Sequence, residues 1–359
     1  MKIVQMLTAL AYGDAIGNDT LAIKELLIDL GYETTIYAEF VDPKISINHE
    51  VVPAFPLPEL EKNDILIYHL STGTKLNHEL HKLKCKKVVV YHNVTPPCYF
   101  LDYSRLLFDL CQAALGEVKQ LSETFDHGLA DSYFNKSDLI NYGYKCPISV
   151  RPILIPFNDY DKTPNEIVIK KYNDNKTNIL FLGRIAPNKK QEDVISAFYF
   201  YKKYYNEDAR LFLVGSYEDM EVYKNRLDEY VKKLEVDDVI FTGKISFDEI
   251  LAYYKIANIF LCMSEHEGFC VPLVEAMYFE VPIIAYAAAA IPETLGNSGV
   301  LLEKKDHLLT AGIMDKLIKD STLRQKVIEN QNKRLNDFNY GNVSSLLKGS
   351  IKKIIESSG

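Results

Sequence analysis

The chain has 359 residues, a formal charge of -8, and 47% hydrophobic against 25% charged residues. That length exceeds one typical core and suits two domains, and the composition is that of a folded globular chain, which excludes long disorder and fibrous repeats. The acidic balance disfavours general attraction to nucleic acid or anionic lipid, so any anion site has to be local.

In chain order, residues 2–7 read as a buried strand rather than a signal peptide, and a turn from Gly13 to Asn18 leads into a helical pattern that ends at Gly31. Gly13 and Gly17 allow close backbone approach by a ligand, but the turn is not G-x-G-x-x-G, and no Walker lysine motif occurs. Residues 34–38, 65–69 and 88–92 are strand-like, with Leu76, Leu80 and Leu83 at helical spacing between the last two. This alternation predicts a parallel sheet with helices on both faces. The basic run 81–87 reads as a solvated helix face, with an acidic membrane surface as the other reading. His92 ends a buried strand in Tyr91-His92-Asn93-Val94-Thr95-Pro96; it is either a structural cap or a ligand contact at the carboxyl edge of the sheet.

Past an apolar run at 150–155, the polar stretch 157–178 is expected to be a linker, with Asp159-Tyr160-Asp161 a turn rather than a metal-binding pair. The pattern restarts with strands at 179–182, 210–214, 239–242, 259–263 and 282–286, and an amphipathic tail runs from Leu323 to near Ser357. The expected division is residues 1–156, a linker region 157–178, a second domain 179–335, and a tail 336–359 packing back on the first domain. The fold class is α/β, two doubly wound Rossmann-like domains facing a central cleft. The longest apolar run, 281–292, is too short to span a membrane. Six dispersed cysteines without a C-x-x-C pair point away from metal fingers and disulfides and towards a reducing cytoplasm.

Two segments of the second domain carry the most chemistry. In Glu267-Gly268-Phe269-Cys270-Val271-Pro272-Leu273-Val274-Glu275, Pro272 marks the first turn of a helix. The amides of Gly268, Phe269 and Cys270 then suit an anion, and Glu275 a polyol such as a ribose. Glu267 suits a second hydroxylated group; the bland alternative is two solvated acids near a helix start. In Gly183-Arg184-Ile185-Ala186-Pro187-Asn188-Lys189-Lys190-Gln191, Asn188 and Gln191 resemble a capping pair that puts both lysines in a first helical turn. There the cations oppose the dipole, which either Glu192 and Asp193 or a diphosphate held by Arg184 and Lys189 would offset.

Together with Ala130-Asp131-Ser132-Tyr133-Phe134-Asn135 and Ile291-Pro292-Glu293-Thr294, these segments resemble the family 4 retaining glycosyltransferases of the GT-B fold (glycosyl transferases group 1) over most of the chain. The most specific element is the glutamate pair Glu267-x7-Glu275. The resemblance implies a nucleotide-sugar donor, UDP- or GDP-linked, and a saccharide or lipid-linked acceptor in polysaccharide, glycolipid or glycoconjugate synthesis. Anomeric configuration would be retained, with no cofactor and no metal, and the protein would be cytoplasmic with at most weak peripheral membrane contact. Arg184 and Lys189 would bind the diphosphate, Glu275 the ribose, and Glu267 the sugar hydroxyls, with the amides of 268–270 nearby. Gly13 and Gly17 would face the diphosphate, and His92 the sugar. Cys270 stands where glycine is frequent, Ala289-Ala290 where Gly-Gly often precedes Pro-Glu, and Phe157-Asn158-Asp159 where Asn-Gly-x-Asp is usual. Two alternatives stay open, a nucleotide-sugar epimerase of the same architecture and a catalytically silent nucleotide-sugar-binding subunit.

Overall fold

The structure, a computed structural model, describes residues 1–11, 13–46 and 50–356. Its contacts divide the chain into unit 1 (Met1–Pro97, Leu106–Phe157, Phe338–Gly359) and unit 2 (Cys98–Arg105, Asn158–Asp337).

Unit 1 holds β1 (Ile3–Leu10), β2 (Ile36–Val41), β3 (Val51–Pro53), β4 (Ile65–Leu70), β5 (Lys86–Tyr91), β6 (His127–Ala130) and β7 (Ile148–Val150). All pair in parallel in the order β3-β2-β1-β4-β5-β6-β7. Strand side chains alternate between faces, and the two cores follow that period. Ile65, Ile67, Val88 and Val90 pack with Ile23, Leu26 and Leu27 of the helix Ala15–Asp29, while Leu66, Tyr68, Val89 and Tyr91 pack with Leu76, Leu80 and Val118. The helix Tyr340–Glu356 places Val343, Leu347, Ile351 and Ile354 in the first of these cores, because those positions share one helical face.

Unit 2 holds β8 (Thr177–Leu182), β9 (Ala209–Val214), β10 (Val239–Gly243), β11 (Ile259–Cys262), β12 (Ile283–Tyr286) and β13 (Val300–Leu302), parallel in the order β10-β9-β8-β11-β12-β13. In each sheet the strand order reverses once, between β1 and β4 in unit 1 and between β8 and β11 in unit 2. Loops at the carboxyl ends of strands flanking such a switch point diverge to opposite faces and leave a crevice for ligands.

Several expectations need correction. Residues 158–178 are built into unit 2 rather than forming a linker: the Asn165 amide donates to the Asp248 carbonyl (2.9 Å) and its side chain to the Asp248 carboxylate (2.8 Å). The run 150–155 is strand only at its first residue, since Arg151 turns inward to a buried acid. The basic run 81–87 is not a helix face; a 3-10 turn, Leu80–Lys82, gives way to β5, and Lys86 donates to the Ile354 carbonyl (2.8 Å). The tail is two helices, Ser321–Leu335 and Tyr340–Glu356, broken around the buried Phe338; its expected end at Ser357 lies outside the described residues. Among the described residues no helix is long and apolar enough to cross a membrane.

Candidate functional site

The two segments singled out in unit 2 follow β8 and β11, the neighbouring strands on either side of its switch point. Their loops are stitched together. The Glu265 amide donates to the Asn188 carbonyl (2.8 Å), the Asn188 side chain donates to the His266 carbonyl (3.1 Å), and Lys189 Nζ sits 2.5 Å from Glu267 Oε2. Burial works against the Lys189 charge, but the Glu267 carboxylate outweighs it and holds the ammonium above the ordinary lysine range. Arg184, on the same loop, is more open, and its guanidinium donates to the Glu218 carbonyl (2.8 Å).

The expected capping pair does not form. Lys190, in the left-handed region (φ 53°), is itself the cap of the helix Gln191–Tyr204, and Lys189 lies in the preceding 3-10 turn Pro187–Lys189. Asn188 is spent on the neighbouring loop, and Gln191 donates to the Arg184 carbonyl (3.0 Å). The lysines therefore precede the helix, and its first turn carries Glu192 and Asp193, which favour the dipole.

The helix Val271–Tyr278 begins where Pro272 indicates, capped by Cys270. Of the residues standing where the resemblance expects glycine, Cys270 (φ 73°) and Ala289 (φ 50°) adopt left-handed backbone, whereas Ala290 (φ -80°) does not. A Cβ at the first two costs on the order of 1 kcal/mol each. Phe269 is buried, and its carbonyl accepts from Thr294 Oγ1 (2.5 Å). Glu275 lies one turn into the helix, where Tyr254 Oη (2.8 Å) and Tyr160 Oη (3.0 Å) donate to its two oxygens. Burial raises its pKa, and the two phenol hydrogen bonds pull the other way. Two of the roughly four acceptor positions of a carboxylate are thus taken, and the rest remain for a ligand hydroxyl. Tyr160 was legible only as a turn residue; nothing in sequence ties it to a glutamate 115 positions away.

In unit 1, Gly13 (φ 77°) makes the turn after β1, and Asp14 caps the helix Ala15–Asp29 through the Gly17 amide (2.5 Å). A Cβ at Gly17 would collide with the Ala11 carbonyl oxygen, so this glycine is required by the helix's close approach to the strand end.

The His92 imidazole is 2% exposed and committed on both nitrogens, to Asp131 Oδ2 (2.8 Å) and to His69 Nδ1 (2.8 Å); His69 Nε2 lies 3.0 Å from Gln5 Oε1, and Gln5 Nε2 donates to the Thr20 carbonyl (2.9 Å). Despite burial, Asp131 raises the His92 pKa, whereas burial and the His92 charge hold His69 well below the usual histidine value. Both directions favour the arrangement in which a protonated His92 donates to Asp131 and to His69, leaving His69 Nε2–H for Gln5 Oε1. The ring's polar atoms thus satisfy buried partners, which favours the structural cap of the two readings. We expect His92→Ala to cost about 1 to 3 kcal/mol of stability, since Asp131 and His69 lose a partner, and to lower activity only as far as the folded fraction falls. Melting temperature and turnover per folded molecule check this; a stable but inactive variant would restore the sugar role.

Beside this chain lies a fully buried ion pair. Arg151 grips Asp19 with two bonds of 2.7 Å, and Asp19 also accepts the Leu154 amide (2.8 Å). Two clusters, Asp19-His69-His92 and Cys262-Glu267-Cys270, have ligand-type atoms within 4.8 Å of one another, a grouping that sequence spacing did not reveal. Each already faces a cation, Arg151 on Asp19 and Lys189 on Glu267, which opposes a second one.

Residues 162–334 match the family described as glycosyl transferases group 1. The Staphylococcus aureus capsular polysaccharide biosynthesis glycosyltransferase CapM is 26% identical over 66% of this chain and 60% of its own length. The Bacillus anthracis N-acetyl-alpha-D-glucosaminyl L-malate synthase is 32% identical over 42% of this chain and 38% of its own. The chain spans between a third and three fifths of these two curated relatives. Among solved structures, sucrose-phosphate synthase from Thermosynechococcus elongatus aligns with TM-score 0.77 and 17% identity, covering 100% of both chains. Anabaena HepE in complex with UDP-glucose aligns with TM-score 0.76 and 17% identity, covering 98% of this chain and 100% of that one. These likenesses show the GT-B fold, two parallel doubly wound sheets in one chain.

Proposed function

We propose, from the membership of residues 162–334 in the glycosyl transferases group 1 family, that this chain transfers a sugar from a nucleotide-sugar donor to an acceptor hydroxyl in polysaccharide or glycoconjugate synthesis. The observation that carries the reading is the pair of stitched loops at the switch point of unit 2, which sets Lys189 against Glu267 at the carboxyl ends of β8 and β11. HepE's complex with UDP-glucose supports a nucleotide-sugar ligand, and CapM's role in capsular polysaccharide biosynthesis supports the product class. Nothing in these comparisons points to the epimerase alternative.

In this mechanism Lys189 and Arg184 stabilise the charge that grows on the departing diphosphate, and the amides at the start of the helix Val271–Tyr278 add to that field. Glu275, oriented by Tyr254 and Tyr160, accepts from the ribose. Glu267 accepts from the sugar while fixing the Lys189 ammonium. The configuration is retained, and the acceptor proton leaves on a donor phosphate oxygen, so no metal or cofactor is required.

The two glutamates separate the roles. Glu275→Gln is expected to weaken binding of the bare nucleoside diphosphate by about tenfold or more, the worth of a hydrogen bond to a charged group. Glu267→Gln is expected to keep that affinity within about threefold and to lower kcat, because its ligand partner is the sugar. Calorimetric titration of both variants with UDP and GDP, alongside turnover with the matching nucleotide sugars, tests the assignment; equal losses of diphosphate affinity would refute the division.

A further inference from the structure

A cavity of about 320 Å³ lies on unit 1, lined by the edge strand β7, the helix Tyr340–Glu356, and the first turns of the helix Tyr133–Asn141. The only charged residues lining it are Lys136 and Lys353, and neither has a carboxylate partner among the described residues. By contrast, the adjacent Lys352 reaches Glu356 at 3.7 Å. Two lysines without a carboxylate partner line this one cavity in a chain of charge -8, which makes its rim locally basic.

The remaining lining continues the pattern. Ser149 brings a hydroxyl to the wall, its Oγ 3.0 Å from His127 Nε2 on β6, whereas the Ser345 and Ser350 hydroxyls donate to the Gly341 and Leu346 carbonyls. Burial lowers the His127 pKa, and the Lys353 charge lowers it further. Ser132 caps the helix Tyr133–Asn141, whose positive end meets the cavity at Tyr133. Tyr133 and Leu346 are 65% and 49% exposed and offer apolar faces beside the cations.

We propose that this cavity is an anion site for a phosphate-bearing ligand of about monosaccharide size. Two point-charge ammonium groups and the Ser149 hydroxyl suit a phosphate's several oxygens. The tyrosine ring and leucine side chain suit the sugar ring or alkyl chain that bears it. The volume is at the small end of ligand pockets, enough for a sugar phosphate and too little for a dinucleotide. Because the cavity lies wholly in unit 1, the inference does not rest on the donor site proposed for unit 2.

The test follows the His127 imidazole resonance, identified with His127→Gln, while the full chain is titrated with inorganic phosphate, a hexose monophosphate and the free hexose. Expected are a saturable shift and a higher His127 titration midpoint with the two phosphates, no shift with the free hexose, and at least tenfold weaker binding in the Lys136→Gln, Lys353→Gln double variant. This readout is local, so phosphate bound in unit 2 does not imitate it. Vesicles containing phosphatidic acid provide the second arm: co-sedimentation that the hexose monophosphate displaces and the double variant loses identifies a lipid headgroup as the source of the phosphate, and its absence identifies a soluble one. No saturable shift with either phosphate, or equal affinity in the double variant, overturns the site.

Discussion

Lys189→Ala is expected to lower kcat/KM with a nucleotide-sugar donor by roughly 30- to 1000-fold, about 2 to 4 kcal/mol of transition-state stabilisation. The ammonium is held between burial and the Glu267 carboxylate, in a region where solvent screens charge weakly, so its loss is felt fully as the diphosphate departs. Part of the cost is structural, because Glu267 is left without its cation. Affinity for UDP or GDP separates that part, since Glu267→Gln alone is expected to leave it nearly intact: if orphaning the carboxylate were the whole effect, the Glu267→Gln, Lys189→Ala double variant would recover diphosphate affinity over Lys189→Ala, whereas a direct diphosphate contact predicts no recovery. Arg184→Ala is expected to cost less, since its guanidinium is 43% exposed, and the Arg184→Ala, Lys189→Ala double variant is expected to fall short of additivity because both act on one diphosphate. Wild-type kcat/KM in Lys189→Ala would remove it from the site.

The largest stability effect is expected at Asp19. Asp19→Ala leaves the Arg151 guanidinium, fully buried, without its bidentate partner and strips the Leu154 amide of its acceptor. Breaking a buried pair by removing one member costs about 3 to 5 kcal/mol, a large share of the 5 to 15 kcal/mol typical of a domain. Replacing both members with apolar residues, Asp19→Leu with Arg151→Met, is expected to recover much of this, because no uncompensated charge stays behind, although Asp131 then loses a neighbouring cation at 3.9 Å. Urea unfolding followed by circular dichroism reads both variants. A midpoint for Asp19→Ala equal to wild type would show that the pair contributes no net stability.

Much of the site was legible because its residues lie close together in sequence on loops that follow strands. Glu267, Gly268, Phe269, Cys270 and Glu275 fall in nine residues, Arg184 and Lys189 in six, and each set sits where an apolar run meets a helix start. The reading failed at Asn188 and Gln191, whose spacing imitates a capping box but whose side chains are taken by a loop from β11 and by the Arg184 carbonyl. At His92, whose position at a strand's end left a structural cap and a ligand contact both open, the ring's bonds to Asp131 and His69 come from packing that spacing does not show.

The alternation of strands and helices, the two-domain architecture, and the glycines and proline that shape the loops can be read from the residues alone, because these depend on neighbours within a few positions: period two in a strand, one turn of a helix, the φ a residue tolerates. Which distant groups meet depends on the packed fold. Lys189 pairs with Glu267 across 78 positions, Tyr160 with Glu275 across 115, and Arg151 with Asp19 across 132. The first of these follows from strand order, where β8 lies beside β11 and brings their loops together. That order follows from how whole apolar faces pack, which no local spacing encodes.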